Sequence, residues 1–354
     1  MNKDFVLPPA LEKGDKVAIV GVGNGPSKQL FPKVYELGLK RLKQVFGLEP
    51  VEFPTANMSM EERTENPRQR AQELMEAFKR DDIKGVIAPI GGSGEQLRIL
   101  KYLDSEVLRN NPTRFYGYSD NTSLNLYLWK QGLVSFQGPM FMTQLAMQGK
   151  MHDYSMKYCN KAFFDDSIGQ VEPSEKFTDE TLNWGNPKNL EKQREMEANP
   201  GWEWHNKDGS TVEGRIWGGC LDVLATNLQA DKPLPDPEEL EGKILALETS
   251  EEKPEQHFVD KFMMSLGERG LLEKFSAIVV GKAKTRHRDP EPSREDREKF
   301  RKKQKDVIKD RVKEYAAGTP IVFDLNFGHS HPIFPLPIGG KAKIDIENEE
   351  IKCK

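Results

Sequence analysis

Gly85-Val-Ile-Ala-Pro-Ile-Gly-Gly-Ser-Gly94 decides the reading of the fold. A short apolar run bounded by turn residues reads as a buried strand. The run gives out into glycines, and a helical pattern through Leu97 and Leu100 follows. The same unit recurs on both sides. Lys16-Val-Ala-Ile-Val-Gly21 is a strand, Gly21-Val-Gly-Asn-Gly-Pro26 turns, and a helix is expected from about Phe31 to Phe46. Val51-Glu-Phe53 is a short strand. Asn66-Pro67 then opens a helix, with Asn66 as N-cap and Ala71, Leu74, Met75 and Phe78 on one face. Arg114-Phe-Tyr-Gly-Tyr118 is a strand followed by a helix from Asn121 to about Lys130. Strands alternating with helices at this spacing imply a parallel sheet covered on both faces.

Beyond about Lys150 the pattern loosens. Residues 165–210 are polar and carry Trp184, Trp202 and Trp204. The stretch reads as a linker or, because aromatics are poor linker residues, as a functional loop. Regular structure restarts at Gly214-Arg-Ile-Trp-Gly-Gly219. Strands are expected at Lys243-Ile-Leu-Ala-Leu247, Ala277-Ile-Val-Val-Gly281 and Pro320-Ile-Val-Phe-Asp324. Helices are expected at about Pro254–Leu266 and Ser293–Ala316, and a hairpin around Asn348-Glu349. The domains are therefore placed at 1–165 and 211–354, joined by an aromatic-rich segment, 166–210.

The chain has 354 residues and a net charge of -4, with a mean hydropathy of -0.68. That is a soluble composition, long enough to bury a real core and of a length that suggests two domains or one large one. The charge balance argues against a nucleic-acid partner. No stretch approaches the ~18 apolar residues of a membrane span, and the start has no signal-peptide pattern. Cys159, Cys220 and Cys353 form neither a paired framework nor a C-x-x-C motif. A cytoplasmic protein is expected.

Several segments are candidate sites. Gly21–Pro26 lacks the third glycine of a dinucleotide fingerprint, so a plain glycine turn explains it better. His329-Ser-His331 could share a metal ion, but a catalytic metal usually needs a third ligand. The run from Lys282 to Lys313 mixes both signs and reads as a solvated helix and loop. Gly117-Tyr-Ser-Asp120 is the most informative. A strand ends, a serine sits at the corner and a helix begins, as in a nucleophile elbow, although Asn121 departs from the usual G-x-S-x-G. The other reading makes Ser119 or Asp120 an N-cap. A nucleophilic serine needs a base and the base an orienter. Among the histidines, His152, His205 and His287 fall in polar segments and His257 in a helix, whereas His329 follows a strand at a loop. Glu248 closes an apolar strand, where α/β proteins place functional groups or structural ion pairs.

Taken together, Gly91-Gly-Ser-Gly94, Gly117-Tyr-Ser-Asp120, Trp217-Gly-Gly-Cys-Leu221, Leu247-Glu248 and Phe327-Gly-His329 resemble the LD-carboxypeptidase family of serine peptidases, over nearly the whole chain. Glu248-Thr-Ser-Glu-Glu252 and the tryptophan-bearing segment look more like its microcin C self-immunity branch. Cys220 stands where the murein tetrapeptide branch usually has Asn. The resemblance implies an N-terminal open parallel α/β domain of flavodoxin-like type and a smaller C-terminal swivelling β/α domain. It implies a triad of Ser119, Glu248 and His329, an oxyanion hole from the backbone N–H groups of Gly92 and Asp120, no metal or organic cofactor, and a homodimer. Gly91, Trp184, Trp217 and Ser250 are the expected substrate-binding residues, with Trp184 stacking on an adenine. The implied substrate is a small peptide or an aminoacyl-nucleotide, cleaved at the amide to its C-terminal residue. The rivals are murein tetrapeptide hydrolysis and a non-enzymatic flavodoxin-like ligand-binding module.

Overall fold

The computed structural model describes residues 4–207, 211–286 and 291–354. The first sheet has six strands in the order Leu336–Ile338, Ser135–Gln137, Arg114–Tyr116, Ile83–Ile87, Lys16–Ile19, Glu49–Glu52. All neighbours run parallel except Leu336–Ile338, which lies antiparallel on Ser135–Gln137. The two strands flanking Lys16–Ile19 are the second and third in the chain. The direction of winding therefore reverses there, and the loops after Ile19 and Ile87 both border the cleft at the carboxyl ends of the strands. Helices Pro32–Gln44, Pro67–Lys79 and Thr122–Lys130 supply the covering layers, and their apolar stripes bury Tyr35, Leu42, Leu74, Phe78 and Leu124. Asn66 does not cap Pro67–Lys79 through its side chain. A short helix, Met60–Glu65, ends immediately before it, and Asn66 Nδ2 donates back to the Glu62 carbonyl at 2.8 Å.

The second sheet has eight strands, ordered Gly169–Val171, Glu350–Cys353, Lys341–Asp345, Val212–Cys220, Lys243–Glu248, Phe275–Gly281, Ile321–Leu325, Glu203–His205. Its middle four are parallel and its flanks antiparallel. Helices Gln256–Glu268 and Arg294–Tyr315 cover it. The long charged helix is capped by Ser293, whose side chain accepts from Asp296 N.

The polar stretch after residue 165 is tied into this second unit at both ends, by the edge strands Gly169–Val171 and Glu203–His205. Between them Thr178 forms a two-way backbone bridge to His331. Asp179 is buried, accepts from Thr285 N at 2.7 Å and pairs with Arg301 at 2.8 Å. A buried carboxylate persists only with such partners. The last strand of the first sheet, Leu336–Ile338, follows the His329 loop directly, so the C-terminal chain returns to the first sheet before closing the second.

Candidate active site

The cleft lies at the carboxyl edge of the first sheet. Ser119 follows the Arg114–Tyr116 strand, opens a 3₁₀ turn, Ser119–Asn121, and leads into Thr122–Lys130. Its φ is +61°, a left-handed conformation that a serine adopts only when its surroundings enforce it. Those surroundings are hydrogen bonds. Asn121 Nδ2 donates to the Tyr118 carbonyl at 2.9 Å, Gln96 Nε2 donates to Asn121 Oδ1 at 2.6 Å, and Asn125 Nδ2 donates to the Gly117 carbonyl at 2.9 Å. The asparagine that departs from the usual elbow pattern is thus one of the clamps. Gly117 is required because a methyl group there would sit 2.9 Å from Asn121 Cβ.

The Gly91 loop passes over the elbow. A Cβ on Gly91 would lie 2.8 Å from Ser119 Cβ and 3.2 Å from Asp120 N, and one on Gly92 would lie 2.3 Å from Asn24 Oδ1. The glycine-rich turn after the first strand packs on this loop from behind. Gly25 N donates to the Gly91 carbonyl at 3.0 Å, and a Cβ on Gly23 would meet that oxygen at 2.2 Å. The turn's glycines therefore serve close approach of two backbones. Two buried arginines brace it: Arg63 Nη1 donates to Ser27 Oγ at 2.7 Å and Arg70 Nη1 to the Val22 carbonyl at 2.9 Å. The Asp120 carboxylate is buried and accepts from Gln96 N at 3.1 Å. Burial pushes its pKa up to about 6.

The second sheet brings Glu248, at the end of its strand, and His329, two residues after Phe327. Glu248 Oε2 accepts from His329 Nδ1 at 2.7 Å, and Gln137 Nε2 of the first sheet reaches Glu248 Oε1 at 3.4 Å. The carboxylate rests on two glycines: added methyls would lie 2.5 Å from its Oε2 at Gly328 and 2.9 Å from its Cβ at Gly281. Tyr118 meets the His329 ring edge-on at 5.1 Å. The other ring nitrogen, His329 Nε2, is 2.7 Å from Glu251 Oε2. Burial works against a charged imidazole, but the two carboxylates outweigh it and hold the His329 pKa well above its usual value. In return, and against its own burial, Glu251 is lowered to about 2 by His329.

Ser119, Gly91, Gly92, Trp184, Glu251 and His329 line one cavity of about 240 Å³. Glu248 stands behind His329. The expected site residues divide accordingly. Trp184 is on the wall, edge-on to Phe31 at 5.4 Å. Trp217 is in the core of the second unit, 1% exposed and stacked on Phe275, so its expected substrate contact is replaced by a structural one. Its sequence neighbour Gly219 faces the cleft side instead: a Cβ there would meet Thr122 at 2.7 Å, and Cys220 N donates to Thr122 Oγ1 at 3.0 Å, docking the elbow helix on the second sheet. Ser250 is buried, donates its N–H to Asp222 Oδ2 at 3.1 Å and accepts from Glu252 N, which fixes the loop carrying Glu251. His287 lies outside the described residues.

Three further polar residues stand on the wall, of which Arg194 and Lys284 carry no sequence motif. Arg194 comes from the crossing segment, Lys284 from the loop after Phe275–Gly281, and His331 from the loop after His329. Burial, and then the neighbouring Arg194, pushes Lys284 down to about 8. Burial together with Arg194 and Lys284 keeps His331 well below its usual pKa. His331 stands beside two cationic side chains, while His329 is held by two carboxylates; no group of three metal-ligating side chains occurs among the described residues. Only proximity in the folded chain could have revealed Arg194 and Lys284, whereas His331 belongs to the His329-Ser-His331 pair that the sequence offered.

A strained serine under a glycine loop, lining one cavity with an imidazole braced by a carboxylate, is the equipment of a serine hydrolase. The chain is a serine peptidase and belongs to the LD-carboxypeptidase family: the family's N-terminal domain matches residues 17–138 and its C-terminal domain residues 213–344. It is 28% identical to the microcin C7 self-immunity protein MccF of Escherichia coli, over 80% of this chain and 77% of that protein. It is 26% identical to a probable murein peptide carboxypeptidase of Bacillus subtilis, over 96% and 91%. An MccF-like protein from Streptococcus pneumoniae, solved in complex with AMP, superimposes with a TM-score of 0.83 at 27% identity, covering 96% of this chain and 99% of that one. The two-domain α/β architecture is common to both. No helix among the described residues is long and apolar enough to cross a membrane.

Proposed function

We propose that Ser119, His329 and Glu248 act as a catalytic triad that hydrolyses the amide joining an acyl amino acid to a small anionic leaving group, an aminoacyl-nucleotide of the microcin type. The observation that carries this reading is the convergence, on one cavity, of a left-handed serine and the Glu248–His329 pair. His329 Nε2 takes the Ser119 proton as Oγ attacks the carbonyl carbon, and Glu248 holds the Nδ1–H tautomer and balances the imidazolium charge. The backbone N–H groups of Asp120 and Gly92 receive the oxyanion; losing one such donor typically costs ~10²–10³ in turnover. The imidazolium then protonates the leaving nitrogen. Water, deprotonated by the same imidazole, hydrolyses the ester and restores Ser119.

Trp184 on the wall is suited to stack on a nucleobase, and the AMP held by the pneumococcal relative supports a nucleotide leaving group. Arg194 and Lys284 supply the positive wall an anionic leaving group needs. Murein tetrapeptide hydrolysis is the second reading, favoured by the Bacillus relative. Mass spectrometry of products from an aminoacyl-sulfamoyl or phosphoramidate nucleotide and from an L,D-linked tetrapeptide decides between them, with Ser119→Ala as control. Cleavage of the peptide alone would replace the first reading with the second. A cytoplasmic homodimer is part of the proposal, and light scattering that gives a single-chain mass would remove the dimer.

A further inference from the structure

The basic edge of the imidazole faces a carboxylate at ion-pair distance, although the two are not aligned as a hydrogen bond. His329 Nε2, the atom that must accept the serine proton, is 2.7 Å from Glu251 Oε2, while Nδ1 is 2.7 Å from Glu248 Oε2. An imidazole flanked on both nitrogens by carboxylates is held as the imidazolium, with a proton on each nitrogen. In that form it has no lone pair for Ser119.

Resting on the triad reading above, we propose that Glu251 is a gate on the general base: paired with His329 it holds the site inactive, and its transfer to Lys284 across the same cavity switches the site on. The geometry supplies the closed position and, on the same cavity, a cation for the open one. Glu251 belongs to the short loop after the Glu248 strand, pinned at Ser250 by Asp222 and at Glu252 N by Ser250 Oγ, with Glu251 between the two anchors and half-buried. Lys284 is 4% exposed and lines the cavity with Glu251. Among the described residues its ammonium makes one hydrogen bond, to the Asp179 carbonyl at 3.0 Å, which leaves donors for a carboxylate.

When Glu251 leaves, the imidazolium gives its Nε2 proton to water and keeps its Nδ1 proton on Glu248. The neutral ring can then accept from Ser119. A substrate whose acyl residue carries a free ammonium favours the open position by offering Glu251 a further cation. The other charged or titratable groups facing His329 are Tyr118 from the elbow, His331 two residues on, and Arg194 from the crossing segment. None of them is a carboxylate, so Glu251 is the group whose removal frees Nε2.

The test is the rate at which a small fluorophosphonate labels Ser119, measured from pH 5 to 10, so that no substrate contact enters. Labelling rises as His329 loses its proton. Glu251→Gln should move the midpoint of that rise down by about one pH unit or more, which is at least about tenfold faster labelling below the wild-type midpoint, and should leave the high-pH plateau in place. Lys284→Met, which removes the alternative partner, should move the midpoint up. Coincident pH profiles for wild type and Glu251→Gln, or a Glu251→Gln profile lowered by one constant factor at all pH values, would overturn the gate. Labelling that persists in Ser119→Ala, or none in the wild type at any pH, would instead overturn the triad.

Discussion

The two sheets equip the cleft by different means. The first sheet works with backbone: a left-handed serine, a glycine loop laid over it, and neutral amide side chains of Gln96, Asn121 and Asn125 holding both. The second sheet works with charge: His329 set between Glu248 and Glu251, with the Lys284 ammonium on the same cavity wall. Backbone contacts tolerate almost no added volume but are indifferent to pH. Charge contacts tolerate shape changes and answer to every proton. The difference teaches that steric substitutions should be most damaging on the first side, and charge-neutral isosteres on the second.

The largest effect should come from Ser119→Ala, which removes the nucleophile; kcat should fall by about 10⁴-fold or more, leaving only binding and oxyanion stabilisation. Gly91→Ala tests the steric half. Its methyl would sit 2.9 Å from Ser119 Oγ, so kcat should drop by about 10²–10³ with a pH profile of unchanged shape. Glu248→Gln tests the charged half. It keeps the volume but loses the anion that orients His329, and should cost about 10²–10⁴ in kcat with a fold intact by circular dichroism. If Gly91→Ala changed the pH profile and Glu248→Gln did not, the division between the sheets would be wrong.

Smaller effects separate the two tryptophans. Trp184→Ala should raise KM for a nucleotide substrate by about ten- to a hundredfold, the equivalent of roughly 1–3 kcal/mol of stacking, and leave a tetrapeptide's KM unchanged. Trp217→Phe should leave both KM values alone and lower the thermal midpoint, because it thins a buried stack on Phe275. The smallest effect concerns His152. Burial and Arg194 lower its folded pKa to about 4, so the unfolded chain takes up its proton first as pH falls. Its contribution to stability is complete above about pH 6.5, the unfolded value, and is lost progressively toward pH 4. Thermal midpoints of wild type and His152→Gln, compared across that range, check the sign: the variant should lose less.

Much of the scaffold was legible because it is local. The apolar run ending in Gly91-Gly92, the elbow at Gly117–Asp120 and the strand closing on Glu248 each announce themselves within ten residues, and the strand–helix alternation follows from hydrophobic period. The 3₁₀ character of Glu95–Tyr102, the short helix before Asn66 and the edge strands inside residues 166–210 were not legible, because short elements take their conformation from what they pack against. Trp217 shows the limit of motif reading. The motif marks where the second sheet docks on the elbow helix: Cys220 N donates to Thr122 Oγ1, and Thr122 leaves no room for a side chain at Gly219.

By itself, then, the chain's residue order determined the α/β alternation, the turn that exposes a serine, and the family to which the motifs belong, since all of these depend on neighbours close along the polypeptide. Tertiary structure alone decided which carboxylate faces which imidazole nitrogen, and that Arg194, Lys284 and Trp184 stand on one wall. Charges interact through space over a few ångströms, whatever their separation in sequence, so their pairing exists only once the strands that carry them lie side by side in the folded chain.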